Sequence, residues 1–209
     1  MQYYATRSPF ISMAYYQHYS NVFSERYLDK LRRAIFASPY FAVNNLNRDF
    51  VATKGFSVVF QRSHLPDVER QFPFFKPYLD RALDSSCNAF YLNPLLLQQG
   101  SRVDPHIDRS LRSYCKTIDP PAIVSVLYVQ IPANLQGGEL VLRNHRQQVG
   151  LIKPDVNTLV CFQGNLMHSV KTMQGAGERL SLVCEQYNLT ELELQDIPSF
   201  TIESRAVRA

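Results

Sequence analysis

The feature that most constrains the fold is a series of short apolar segments that begins at Ala89. Turn residues separate these segments, and no helical pattern lies between them. The pattern predicts strands at residues 89–98, 103–108, 122–131, 138–143, 147–152, 157–162, 167–171 and 179–187. Short strands without intervening helices must cover their own edges, and a closed barrel or a two-sheet jelly roll does so. Such a fold leaves a mouth that can hold a small ligand.

The chain before Ala89 shows helical patterns instead. In "SERYLDKLRRAIFAS", Ser24 is a candidate N-cap and apolar side chains recur at helical spacing. A second helix is predicted in "KPYLDRALDSS", where Pro77 suits a first helical turn. The segment "GFSVVFQ", which lies between these two, predicts a strand.

Together these patterns predict a mainly β chain with N-terminal helices, of the α+β class. We expect an N-terminal helical or mixed extension at residues 1–88 that packs on a β core at residues 89–190. Residues 191–209 would form a C-terminal tail. The sequence makes no prediction of the oligomeric state.

The composition excludes several classes of protein. A hydrophobic content of 45% with 13 Phe and 12 Tyr is ample for a core, so the chain is not a disordered protein. The net charge of +4 comes from scattered residues, which does not indicate dedicated nucleic-acid binding. No segment resembles a signal peptide or a membrane span, and the four cysteines form no C-x-x-C pair. We therefore expect a cytoplasmic protein without a membrane partner.

One histidine lies two residues before an aspartate, in "RVDPHIDRSL". On a strand, His106 and Asp108 would face the barrel interior together, and a buried carboxylate needs a cation or a strong donor. His168, where a new strand begins after a turn, is the candidate third ligand. Two imidazoles and one carboxylate form the facial triad of non-haem Fe(II) oxygenases. Zinc could use the same ligands, and a histidine at 168 could instead be an ordinary core residue.

A buried cation is predicted eleven residues after His168, in "GERLSLVCEQY". Strand alternation places Arg179, Ser181 and Val183 on one face. If this is the face of the metal ligands, a dicarboxylate could reach from the metal to the Arg179 guanidinium, assisted by the Ser181 hydroxyl. The alternative is an arginine at the surface, paired with a neighbour such as Glu178.

These motifs together resemble a known family. The order "PHIDRS", "VSVLYVQIP", "GGELVLR", "VNTLVCFQGNLMHSV" and "GERLSLVCEQY" is similar to the iron(II)/2-oxoglutarate dioxygenase superfamily, especially its prolyl-4-hydroxylase-like branch. The resemblance covers roughly residues 90–187. One departure is that arginine stands where many prolyl hydroxylases use lysine. The resemblance implies a double-stranded β-helix fold, of the jelly-roll or cupin-like type.

The resemblance also implies a ligand set and an activity. Iron would be held by His106, Asp108 and His168. The cosubstrate 2-oxoglutarate would lie on Arg179, and the remaining cofactor-binding candidates are Ser181 and Tyr128. The implied cofactors are Fe(II), 2-oxoglutarate and O₂, with ascorbate as a further candidate, and the implied products include succinate and CO₂.

Three functions remain open at this stage. The first is hydroxylation of a peptide or protein residue, or of a small metabolite. The second is an oxygenase of the nucleic-acid repair type, which would need a basic groove and a second arginine soon after Arg179. The third is a cupin-like module that binds a metal or ligand without turnover. Arg102 and Arg109 flank the His-x-Asp motif and could meet an acidic substrate, although solvated surface positions are the ordinary expectation.

Overall fold

The computed structural model describes residues 15–43, 46 and 48–206. The first part of the predicted N-terminal extension, including most of the segment tested for a signal peptide, lies outside the described residues. The strands are β1 (Tyr16–Ser20), β2 (Ala42–Val43), β3 (Phe50–Val51), β4 (Lys54–Gly55), β5 (Ser57–Gln61), β6 (Ala89–Leu97), β7 (Arg102–His106), β8 (Ile123–Gln130), β9 (Leu140–Asn144), β10 (Gln147–Ile152), β11 (Thr158–Gln163), β12 (Met167–Val170), β13 (Arg179–Tyr187) and β14 (Phe200–Glu203). The α-helices are α1 (Glu25–Phe36), α2 (Leu65–Gln71), α3 (Lys76–Ala82) and α4 (Glu191–Asp196).

The strands form two antiparallel sheets. The larger sheet has the order β1-β11-β8-β13-β6-β4-β2, and β5 joins it by pairing with β6 and β14. The smaller sheet has the order β10-β9-β12-β7-β3. These two sheets confirm the predicted mainly β fold with a jelly-roll core.

The side chains on the two faces of β13 pack in different layers of the molecule. Leu180, Leu182 and Cys184 belong to the core that the larger sheet shares with the helices, as do Leu31 and Ile35 of α1. The aromatic side chains of the "QFPFFKPY" segment lie in the same core. The opposite face of β13 points toward the smaller sheet, so the predicted alternation is confirmed. The space between the sheets is where the candidate site lies.

The predicted strand at residues 103–108 is too long. In the structure β7 ends at His106, where it pairs with His168 of β12. Past this pair, Met167 is the only residue of β12 that remains. The chain after His106 leaves the sheet and enters a 3-10 turn at Ser110–Ser113. Asp108 therefore reaches the site from a loop, not from a strand.

Strands from both flanks of the predicted core extend the larger sheet. β1 pairs with β11, and β5 pairs with β6. The segment predicted to be a tail contains α4 and β14, and β14 pairs with β5. The domain limits stay a prediction, but strands from all three predicted segments share one sheet.

The N-cap of α1 provides a test of local stability. Ser24 has an extended backbone, and its hydroxyl accepts a hydrogen bond from the Tyr27 amide at 3.3 Å. A Ser24→Ala variant should lose about 1 kcal/mol of unfolding free energy, because that amide loses its partner. Chemical denaturation measures the change. Ser85→Ala, at an exposed serine outside any helix, is the control and should change stability by less than about 0.5 kcal/mol. Equal losses in both variants would contradict the capping role.

Candidate metal centre

Three side chains that are distant in sequence converge between the sheets. One ligand atom from each of His106, Asp108 and His168 lies within 4.8 Å of the others, and such a group could hold a metal ion. The Nε2 atom of His106 is 3.1 Å from Oδ1 of Asp108, and Nε2 of His168 is 3.3 Å from Oδ2. The structure thus brings together all three residues that the sequence singled out.

The strand register places the two imidazoles side by side. His106 on β7 and His168 on β12 are directly paired, and their ring centroids are 4.4 Å apart. Phe50 packs edge-on against His106 and Phe162 packs edge-on against His168, with centroid distances of 5.1 and 5.0 Å. These aromatic contacts fix the planes of both rings on the apolar inner face of the smaller sheet.

Hydrogen bonds at Nδ1 orient both imidazoles so that each Nε2 faces the Asp108 carboxylate. The Nδ1 atom of His106 donates to the carbonyl of Asp104 at 2.8 Å, and Nδ1 of His168 donates to the carbonyl of Leu166 at 3.2 Å. Because a carbonyl only accepts, each ring carries a proton on Nδ1, and in the neutral form of the ring Nε2 has the lone pair that a metal would need. Metal-bound histidines typically have this arrangement.

Two lone pairs and a carboxylate that face one another repel unless a cation lies between them. Asp108 is buried, and its Oδ2 has no hydrogen-bond partner in the part of the chain that the structure describes. Burial raises the pKa of Asp108, but the adjacent His168 and His106 outweigh it, and the pKa falls well below its usual range. Burial lowers the pKa of His106, yet its contact with Asp108 raises that pKa overall. The donor set fits a divalent cation.

Arg179 lies opposite these residues, on β13 of the larger sheet. It is only 2% exposed. Its Nε donates to the Ser181 hydroxyl at 3.3 Å, one terminal nitrogen donates to the Gly138 carbonyl, and its charge lies 4.9 Å from the centre of the Tyr128 ring. Burial lowers the pKa of Arg179. It makes no ion pair with any residue that the structure describes. A buried guanidinium with unused donors fits an anionic ligand.

The turn that supplies the Gly138 carbonyl depends on glycine. Gly137 and Gly138 both have positive φ, at 73° and 71°. A Cβ atom on Gly137 would lie 2.1 Å from the backbone oxygen of Thr172, a distance that no side chain can adopt. The Gly-Gly sequence therefore permits the close approach of this turn to the segment after β12, and with it the contact to Arg179.

Arg179 and the three candidate ligands line one narrow cavity. Ser181 also lines it, and apolar side chains of both sheets form most of the remaining wall. The Tyr128 hydroxyl, which is fully buried beside Arg179, has no hydrogen-bond partner among the described residues. Burial raises the pKa of Tyr128, so this hydroxyl is a neutral donor. The predicted cosubstrate residues thus share the space between the sheets with the predicted metal ligands.

Sequence reasoning missed Glu185, which anchors the loop that carries Asp108. Its buried carboxylate accepts hydrogen bonds from the Ser110 amide at 3.2 Å and the Ser110 hydroxyl at 2.5 Å, and from the Tyr187 hydroxyl. Burial and the nearby Asp108 raise the pKa of Glu185 to about 8. A signal was present, because strand alternation places Glu185 on the same face as Arg179 and Ser181.

Sequence reasoning also missed a second, wider cavity that His106 and Asp108 line. Its volume is about 500 Å³. Its lining includes His106 and Asp108 on one side and Tyr91 and Glu203 on another, with Arg109 at its rim. Local sequence carried no signal for Glu203, which lies in the predicted tail.

Arg102 and Arg109, which flank the His-x-Asp motif, are both exposed. Arg102 is exposed and pairs with Asp104 at 2.8 Å. His145 is exposed in a turn, with φ of 52°. Arg102 thus has the solvated surface position that the sequence favoured.

The central part of the chain matches a known family. Residues 90–184 match the 2OG-Fe(II) oxygenase superfamily. This segment is a 2OG-Fe(II) oxygenase domain. The match confirms the resemblance read from the motifs, and the cofactors of this superfamily are Fe(II), 2-oxoglutarate and O₂. The domain is therefore that of an enzyme, an oxygenase. This excludes the alternative of a module that binds a metal or ligand without turnover. No curated protein matches the chain.

Several solved structures share the fold of the oxygenase. A prolyl-4-hydroxylase from Pseudomonas putida has a TM-score of 0.55 at 14% identity, with 84% of this chain and 93% of that chain covered. An oxidoreductase of the 2OG-Fe(II) oxygenase family from Burkholderia pseudomallei has a TM-score of 0.54 at 16% identity, with 84% and 86% covered. A Trichoplax adhaerens prolyl hydroxylase in complex with a hypoxia inducible factor peptide fragment has a TM-score of 0.56 at 15% identity, with 85% and 84% covered. The likeness confirms the double-stranded β-helix fold.

No helix among residues 15–43 and 48–206 combines the length and the apolar character that crossing a membrane requires.

Proposed function

We propose that this oxygenase hydroxylates a peptide residue or a small metabolite, with Fe(II) held by His106, Asp108 and His168. One observation carries the proposal: one ligand atom from each of two imidazoles and a buried carboxylate converge within 4.8 Å. The buried Arg179, which lines the same cavity, supports the proposal. One end of 2-oxoglutarate can chelate a metal, and the other end can pair with a guanidinium.

The protein's contribution would be binding, orientation and exclusion of water. Bound iron supplies the activation of O₂, which couples oxidation of 2-oxoglutarate to succinate and CO₂ with hydroxylation of the substrate. Arg179 and Ser181 would bind the distal carboxylate of 2-oxoglutarate. The apolar wall of the narrow cavity lowers the local dielectric, which strengthens that charge pair. Glu185 would hold the Asp108 loop in place through Ser110.

The wider cavity beside Asp108 is the proposed substrate site. Two of the candidate ligands, His106 and Asp108, line it, and its volume of about 500 Å³ suits a small molecule or one residue of a peptide. The peptide bound to the Trichoplax adhaerens prolyl hydroxylase supports a peptide substrate by analogy of fold. The lining of this cavity has both a glutamate and an arginine, which does not favour a polyanionic nucleic acid.

Anaerobic titration tests the proposed site. Fe(II) and 2-oxoglutarate added together should produce a weak visible metal-to-ligand charge-transfer band, and neither should do so alone. Admission of O₂ should then bleach the band and release succinate. A wild-type protein that shows neither the band nor Fe(II)-dependent succinate would contradict the proposal. Zn(II) in place of Fe(II) is the control, since it can occupy the same ligands but has no such band.

Tyr128 allows a test that separates cosubstrate binding from stability. Tyr128→Phe removes a buried hydroxyl that has no partner among the described residues, so the unfolding free energy should not fall. The affinity for 2-oxoglutarate should fall about tenfold or more, since a hydrogen bond to a charged group contributes about 1.5–3 kcal/mol. Titration of the charge-transfer band measures this. An unchanged affinity would show that the hydroxyl does not contact the cosubstrate.

A further inference from the structure

The wider cavity has a fixed carboxylate in its wall. Glu203, the last residue of β14, lines this cavity together with Tyr91. The Tyr91 hydroxyl donates to one carboxylate oxygen at 3.0 Å, and the Tyr114 hydroxyl donates to the other. β14 pairs with β5, and Glu203 stands opposite Ser57 in that register. Backbone pairing and two side-chain bonds therefore hold the carboxylate in one orientation.

The two tyrosines act as neutral donors to this carboxylate. Burial and the nearby Glu203 raise the pKa of both Tyr91 and Tyr114, so their hydroxyls keep their protons. A carboxylate has about four acceptor positions, and the tyrosines use two of them. Glu203 therefore retains acceptor positions for another group.

Among the described residues, no Lys, Arg or His forms an ion pair with Glu203. The side chain is half-buried, and the hydrogen bonds that it accepts come from the Tyr91 and Tyr114 hydroxyls. A bound metal would neutralise the charge of Asp108, the other carboxylate of this cavity. Glu203 is then the carboxylate that a substrate in this cavity would meet, while Arg109 is the one arginine or lysine of the lining among the described residues and lies at the rim.

We propose that Glu203 is a subsite for a positively charged nitrogen group of the substrate, a protonated amine or a guanidinium. The substrate would then be a basic amino acid or a peptide that contains one. The cavity places this subsite and the candidate metal ligands His106 and Asp108 around one volume, so a single bound molecule would contact both. The inference rests on the proposed function, because it requires that the substrate occupies this cavity.

The test measures substrate-stimulated turnover of 2-oxoglutarate to succinate with matched charged and neutral probes. One arm uses free L-arginine and L-lysine. The second arm uses short peptides, acetylated and amidated at their ends, with a central arginine or lysine. The neutral controls carry citrulline or Nε-acetyl-lysine at that position. Stimulation by the charged probes of at least one arm, but not by the neutral peptides, is expected. The arm that responds identifies a free amino acid or a peptide as the source of the charge.

Two variants test whether stimulation by the charged probes depends on the Glu203 carboxylate. Glu203→Gln keeps the side-chain shape and an acceptor oxygen for one of the two tyrosines but removes the charge, so kcat/KM for the charged probe should fall about tenfold or more. Glu191→Gln, at an exposed glutamate on α4, makes the same change in net charge and should leave kcat/KM unaltered. Glu191→Gln should also leave the charge-transfer band and the slow turnover of 2-oxoglutarate without substrate unaltered, and the band of Glu203→Gln shows whether its metal and cosubstrate site has formed.

The outcomes separate this proposal from the proposed function. A wild-type protein without the charge-transfer band overturns the metal and cosubstrate site itself. With the band present, the subsite is overturned if no charged probe stimulates turnover or if neutral peptides stimulate equally. It is also overturned if Glu203→Gln retains the wild-type kcat/KM.

Discussion

Replacing His168 with alanine should abolish the charge-transfer band and reduce Fe(II)-dependent succinate formation to background. The variant leaves His106 and Asp108 as the only candidate ligands in the described group. Changing residues that merely support metal ligands costs about 10- to 100-fold in metal affinity, so loss of a ligand should cost at least about 100-fold. Anaerobic Fe(II) titration measures this directly.

The controls for this variant must separate metal binding from folding. His168 is buried, so circular dichroism and a melting curve should first show that His168→Ala retains the fold. His145→Ala changes an exposed histidine in a turn and should leave the band and the turnover intact. A folded His168→Ala protein that keeps the band would mean that the metal, if bound, lies elsewhere.

The agreement between sequence and structure was good where local periodicity decides the outcome. Alternation along β13 correctly assigned Arg179 and Ser181 to the face that meets the smaller sheet, and the same rule would have included Glu185. The rule depends only on the pleat of one strand, so no knowledge of the partner strands is needed. The apolar segments after Ala89 were predicted for the same reason.

Features set by distant pairing could not be predicted in this way. The end of β7 at His106 depends on how far its pairing with β12 extends. The position of Glu203 depends on the pairing of β14 with β5. Those strands lie far apart in sequence, and no local pattern specifies which of them will meet. Glu203 also lies outside the region of resemblance, so no motif pointed to it.

Arg179→Ala should weaken 2-oxoglutarate binding while leaving Fe(II) binding unchanged. Loss of one partner of a buried charge pair costs about 2–5 kcal/mol, which corresponds to an increase in Kd of about 30-fold to several thousand-fold. Arg179→Lys should be intermediate, because lysine keeps the charge but cannot reproduce the planar fork that reaches Ser181 and Gly138. Arg102→Ala, at an exposed arginine, is the matched control.

A comparison of two ligands makes this prediction specific to the distal carboxylate. The ligand 2-oxopentanoate keeps the chelating end of 2-oxoglutarate but carries a methyl group in place of the distal carboxylate. Wild-type protein should strongly prefer 2-oxoglutarate, whereas Arg179→Ala should bind the two ligands with similar affinity, because the group that distinguishes them is gone. If Arg179→Ala kept the full preference, the distal carboxylate would have to bind another cation. Since Arg179 is the only arginine or lysine that lines the narrow cavity among the described residues, that result would also place 2-oxoglutarate outside this cavity.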